Sequence, residues 1–145
     1  MNGEIVKRLS LLLMVAVAAL AGAGEPRAVL ELDGGWRIKP AESPEIPPGD
    51  SDWGVWKIPS GQKFQDGVDA SGTSWKKQSR KNIHRYWYRM TPAVPADWQG
   101  RATWLELDRI DGDAIVFVNG KRVGEVLNPT GAIRLTNLKY GTENT

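Results

Sequence analysis

Few residues in this chain are able to do chemistry, and their spacing limits what they could do. Glu106 and Asp108 stand two apart in an alternating segment, which puts them on one strand face at ~6.8 Å. Two carboxyl groups flanking a glycosidic bond, ~5–5.5 Å apart or wider, are what hydrolysis of that bond requires. An exposed strand face explains the pair better, because exposed carboxylates stay ionised near neutral pH and cannot donate a proton. His84 is the only histidine, so any Ser-His-Asp arrangement must use it, and no Gly-x-Ser-x-Gly turn is present to expose a serine. Its place beside Arg85 at a strand start suits a structural or rim histidine. Asp50-x-Asp52 and Asp111-x-Asp113 could offer oxygen ligands to calcium. Neither has the spacing of a calcium loop, and aspartate is common in turns for local backbone bonding. The sequence therefore predicts no catalytic residue, no metal site and no cofactor within this chain.

Seven tryptophans offer a different chemistry. An indole can lie against the apolar face of a pyranose ring while nearby polar groups bind its hydroxyls. Core packing competes, because tryptophan is large and highly buried on average. Trp36, Trp87 and Trp104 fall in predicted strands, which favours packing for them. Trp53, Trp56 and Trp75 fall in or near loops and are the candidate carbohydrate-binding residues. Trp75 leads them because its neighbours are polar.

The elements that must position these residues are strands. Short β-like runs separated by Gly, Pro, Asp and Ser predict an all-β fold, over Ala28–Leu32, Trp36–Lys39, Val55–Ile58, Arg85–Thr91, Ala102–Leu107, Ala114–Val118, Arg122–Val126 and Ala132–Leu135. The segment from Tyr86 to Gly124 reads as three consecutive antiparallel strands. Pro92 and Pro95 close the first, and a polar corner covers Ala96–Gly100. In the second, Thr103, Leu105 and Leu107 face one way and Trp104, Glu106 and Asp108 the other. The third, Ala114–Val118, is apolar on both faces, so its second face needs a cover, which a loop of this chain could supply and a downstream domain would supply better. It ends at Asn119-Gly120, the pair that best tolerates positive φ at both centres of a two-residue hairpin turn. Proline-rich Pro40–Asp52 and polar Gln62–Asn82 read as loops.

A length of 145 residues suits one domain. Lys7 and Arg8 precede an apolar run from Leu9 to Leu20, and Ala21-Gly22-Ala23 supplies small residues for cleavage, so residues 1–23 read as a signal peptide. The run of about 12 residues is short of the ~20 that cross a bilayer, which leaves no membrane anchor after cleavage. The mature domain is then 24–145, secreted or periplasmic. Cysteine is absent, which excludes thiol catalysis and cysteine-ligated metal, and a sandwich of this size needs no disulfide. Losing Lys7, Arg8 and Glu4 moves the net charge from +2 to +1, a near-neutral total without the electrostatic footprint of nucleic-acid binding.

The order of pieces in the central segment resembles a family. Trp87-Tyr88-Arg89, Val94-Pro95, Leu105-x-Leu107, Ile110-Asp111 and Val118-Asn119-Gly120-Lys121-x-Val123-Gly124 follow in an order that resembles the N-terminal sugar-binding-type domain of glycoside hydrolase family 2, the β-galactosidase, β-glucuronidase and β-mannosidase group. The likeness extends upstream to Leu32-Asp33-Gly34-Gly35-Trp36 and Trp53-x-x-Trp56-x-x-Pro59, and downstream to Leu135-Thr136 and Gly141-x-x-Asn144-Thr145. It implies an antiparallel β-sandwich, a galactose-binding-like jelly roll, lacking its last strand at the C-terminus. It also implies that the catalytic glutamates lie in a later (β/α)8 barrel. The expected partners are the downstream domains of the same chain and, through the full-length enzyme, carbohydrate. A carbohydrate-binding module or an adhesion-type sandwich without hydrolase activity is the alternative.

Overall fold

The computed structural model describes residues 27–58, 67–78 and 83–145. The expected signal peptide over 1–23, and part of the loop expected over 62–82, lie outside the described residues. Among the described residues ten strands run in chain order: β1 (Gly34–Pro40), β2 (Gly54–Ile58), β3 (Val68–Asp69), β4 (Tyr86–Arg89), β5 (Ala93–Val94), β6 (Trp104–Leu107), β7 (Ala114–Val118), β8 (Lys121–Val126), β9 (Gly131–Arg134) and β10 (Thr142–Glu143). A four-stranded sheet has the order β3-β2-β1-β4, and three two-stranded ribbons pair β10 with β5, β6 with β9 and β7 with β8. Every pairing is antiparallel, and the architecture is an all-β sandwich.

Register explains where the core sits. Trp36 lies opposite Trp56, and Ile38 lies opposite both Gly54 and Tyr88, so these residues share one face of the four-stranded sheet. Ile38, Val68, Ala70 and Trp75 are buried together there, with Trp56 and Tyr86 packed against them. The opposite face carries Arg37, Lys39, Lys57, Trp87 and Arg89. From it the Trp87 ring meets Phe117 of β7 at 5.3 Å between centroids, tilted by 58°, within the centroid separation at which aromatic pairs attract. That contact joins the sheet to the β7–β8 ribbon. It also covers the Phe117 face of β7 from within the chain.

The turn at Asn119-Gly120 is as expected, with φ of 50° and 77° and Val118 opposite Lys121. A bulge follows, since Phe117 pairs with Arg122 but Val116 with Gly124, leaving Val123 as the extra residue. Two expectations are corrected. First, the three runs expected to be consecutive strands, now β4, β6 and β7, do not pair with one another: β4 pairs with β1, β6 with β9, and β7 with the return strand β8. Sequential strands of a sandwich can pass between sheets, and the partners of β4 and β6 lie far away in sequence, while β7 pairs across its own turn. Second, Ala28–Leu32 joins no ladder. It is held instead by Trp36 Nε1 donating to the Leu32 carbonyl at 2.8 Å and by an ion pair between Arg27 and Glu106.

Pro92 and Pro95 bracket β5 rather than ending all pairing. Proline lacks a donor but keeps its acceptor, so the Pro92 carbonyl receives Asn144 N–H at 3.0 Å, while Val94 receives Gly141 N–H at 2.7 Å. The corner after Pro95 is a 3-10 turn, Ala96–Trp98.

Candidate functional site

The loop over 41–53 folds back onto the β1–β4 edge. The Arg85 carbonyl accepts Ala41 N–H at 3.0 Å, Trp87 Nε1 donates to the Ser43 carbonyl at 3.2 Å and Lys39 Nζ to the Ser51 carbonyl at 3.1 Å. Arg89 gathers the far end of the loop. It donates to Asp50 Oδ1 at 2.6 Å and to the Pro48 carbonyl at 2.7 Å, and its guanidinium lies 4.2 Å from the centre of the Trp53 ring. One face of Trp53 is therefore occupied by Arg89, and its indole N–H is spent on the Gly49 carbonyl at 2.8 Å. Beside Arg89 runs an open groove of roughly 350 Å³ lined by Leu30, Leu32, Gly35, Arg37 and Met90.

Trp56 is half-buried against the core, its ring 6.2 Å from that of Tyr88. Burial, then Tyr86 and Asp111, push the Tyr88 phenol up to about 12, so its hydroxyl stays protonated near neutral pH. Trp75, the leading sugar platform from sequence, is only 3% exposed. Its faces are taken by the core, and its Nε1 donates to the Asp52 carbonyl at 3.1 Å. A buried indole offers no surface to a pyranose, so the structure corrects that assignment. The three tryptophans thus do not form one platform.

The anchoring of Trp75 begins at Asp52, which sits at φ 67°, a region aspartate tolerates better than most residues. Its carboxylate accepts Ser74 Oγ at 2.6 Å and Ser74 N–H at 2.5 Å. These bonds, the side-chain one first, hold the Asp52 carboxyl below its ordinary value of 3.8. The Ser71 backbone N–H, helped by its hydroxyl, does the same for Asp69. A lowered pKa suits a turn anchor and leaves both carboxylates ionised, so neither can serve as a proton donor near neutral pH. A depressed carboxylate contributes stability above its unfolded value, and that contribution is lost as pH falls through the folded value. Asp52→Asn is therefore expected to flatten the acid side of the melting curve. Between about pH 6 and about pH 3 the wild-type midpoint should fall further than the variant's. Parallel curves would show that Asp52 anchors nothing.

The other sequence candidates lie apart. Glu106 pairs with Arg27, and Asp108 lies 3.9 Å from Arg109, both on the outward side of β6. His84 is exposed beside a shallow hollow formed by Pro40, Ala41, Ile83 and Arg85. Asp50 is committed to Arg89, and Asp113 Oδ1 accepts Asn128 N–H at 3.0 Å. Among the described residues no group of three or more His, Cys, Asp or Glu side chains is placed to hold a metal ion.

Two solved structures share this architecture. The β-D-glucuronidase of Dictyoglomus thermophilum aligns over 78% of this chain and 18% of its own, with a TM-score of 0.58 and 20% identity. The β-glucuronidase of an uncultured Clostridium species aligns over 83% of this chain and 21% of its own, with a TM-score of 0.61 and 21% identity. The sandwich is a fold found within β-glucuronidases. This chain corresponds to about one-fifth of either enzyme. No protein-family model and no curated protein matches the sequence.

One residue was misassigned in the opposite sense to Trp75. Trp104, expected to pack because it lies in a strand, is 53% exposed. The signal was in the alternation itself, which places Trp104 on the same face as Glu106 and Asp108.

Proposed function

We propose that this chain is the N-terminal sandwich domain of a secreted glycoside hydrolase of the family 2 type, with cleavage of O-glycosyl bonds carried out by the full-length protein. The observation that carries this reading is the shared sandwich fold, extending over 78% and 83% of the chain, in two structures named as β-glucuronidases. The aligned part is only 18% and 21% of the two neighbours, which leaves room in each for a separate catalytic domain. The central sequence block that resembles family 2 supports the same assignment. The placement of Glu106 and Asp108, each beside an arginine on an open strand face, supports a supporting rather than bond-breaking role for this domain. Retention or inversion needs two carboxyls facing one another across a sugar, not two on one strand.

The test is expression of the complete natural reading frame, assayed on aryl β-D-glucuronide, β-D-galactoside and β-D-mannoside beside the 145-residue chain alone. The expected result is hydrolysis of at least one substrate by the full-length protein and of none by the chain. A natural stop codon directly after Thr145, or hydrolysis by the chain itself, would sink the proposal. A carbohydrate-binding module without hydrolase activity is the second reading, favoured by exposed Trp104.

A further inference from the structure

From the outward face of the β6–β9 ribbon we infer a glycan-binding surface, with Trp104 as the platform for a pyranose ring and Glu106 and Arg134 as its hydroxyl partners. The inference rests on the carbohydrate-associated reading above, and its failure can be told apart from that reading's failure. Trp104 lies directly opposite Arg134, and Glu106 directly opposite Ala132. Directly opposed side chains in an antiparallel pair have Cβ atoms ~4.5–5.5 Å apart, and Glu106 follows Trp104 on the same face at ~6.8 Å. An indole, a carboxylate and a guanidinium are thus grouped within the span of one sugar ring and its substituents.

The chemistry of each group fits that ligand. A pyranose presents axial C–H groups on one face and hydroxyls around its rim. An indole supplies a flat apolar surface of 150–250 Å² class with a polar edge. Trp104 is 53% exposed, and its indole N–H donates to no group among the described residues. Arg134 is exposed and takes part in no ion pair among them, which leaves its five donors available. Glu106 is bonded by Arg27, an exposed contact that orients the carboxylate while leaving acceptor sites open. Ala132, the smallest side chain on the face, keeps the flank of the platform clear. The inward side chains Leu105 and Ile133 pair across the same ribbon and are half-buried, so the platform stands on packed strands rather than on a loop.

The experiment is affinity electrophoresis of the whole chain through gels containing mixed-linkage β-glucan, galactomannan or glucuronoxylan. At least one polysaccharide should retard the wild type. Trp104→Ala should weaken that retardation roughly tenfold, as loss of an aromatic stacking contact implies. Trp104→Phe should retain part of it. Glu106→Gln, which leaves the ring in place, should also weaken binding, and far-ultraviolet circular dichroism should show all three variants folded. Unretarded wild type in all three gels, or retardation unchanged in Trp104→Ala, overturns the inference. Hydrolysis of an aryl glycoside by the full-length protein would still stand in either case. Conversely, a retarded chain from a protein with no hydrolase activity would sustain this surface while the hydrolase reading fell.

Discussion

Trp75→Ala is expected to lower stability by about 3–5 kcal/mol, the range for removing a large aromatic side chain from a core. Small domains have only ~5–15 kcal/mol in total, so most of the cooperative unfolding transition should move to low urea. Trp75 packs with Ile38, Val68 and Ala70, and the edge of its ring lies so close to β2 that a Cβ built on Gly54 would stand 3.0 Å from Trp75 Cζ2 and 2.8 Å from the Asp69 carbonyl. Glycine at 54 is what lets the indole and the neighbouring strand approach this far. Alanine at 75 leaves a void walled by rigid strand backbone on that side, which limits collapse. It also removes the indole donor from the Asp52 carbonyl. Trp75→Phe should fall between, because it fills part of the space and lacks the donor. A variant at 75 with an unchanged urea midpoint, but with lost polysaccharide binding, would refute the core assignment and restore the sugar-platform role.

The exchange of roles between Trp75 and Trp104 shows what is legible in this sequence. Strand identity is a local property, and alternation or apolar runs located β1, β2, β4, β6, β7, β8 and β9 to within a few residues. The Asn-Gly turn is local too, and its positive φ values follow. Burial is different, because it depends on which distant segment lies above a residue. Trp75 sits among Thr, Ser and Lys and looks exposed, yet Asp52 and Ser74 draw its turn under β2 from 22 residues away. Trp104 sits in an apolar-rich strand and looks buried, yet its ribbon partner contributes only Arg134 opposite it and nothing covers it among the described residues. The two-residue strands β3, β5 and β10 carry no periodicity at all. They exist because a neighbour's backbone groups need partners, as the carbonyls of Pro92 and Val94 do.

Replacing Asn144 should be the second most damaging change, and it tests whether the end of the chain is an integral part of the sandwich. Asn144 is 4% exposed, and both halves of its amide are fully engaged. Its Oδ1 accepts Asn119 Nδ2 at 2.9 Å and Lys139 N–H at 2.8 Å, while its Nδ2 donates to the Lys139 carbonyl at 2.8 Å and the Thr142 carbonyl at 3.2 Å. Asn119 in turn donates to the Asn137 carbonyl at 2.8 Å and accepts Thr145 N–H at 3.1 Å. The asparagine that permits the β7–β8 turn thus also clasps the β10 segment, a role that its turn signature alone does not convey. Asn144→Leu keeps the branched shape, with bulkier methyl groups, but strands several of these polar groups away from water. Each unsatisfied group costs about 1–3 kcal/mol, so a total loss of about 3 kcal/mol is expected, read as a lower urea midpoint. Asn144→Asp separates shape from hydrogen bonding, because an ionised carboxylate can accept from Asn119 and Lys139 but cannot donate to two carbonyls. Burial against those carbonyls should raise its folded pKa above the unfolded value. A raised value favours the folded state below the unfolded pKa and loses that advantage as pH rises, so this variant should approach wild-type stability in acid and fall away towards neutral pH. A pH-independent deficit, or none in either variant, would show that the Asn119–Asn144 clasp does not hold β10 to the fold.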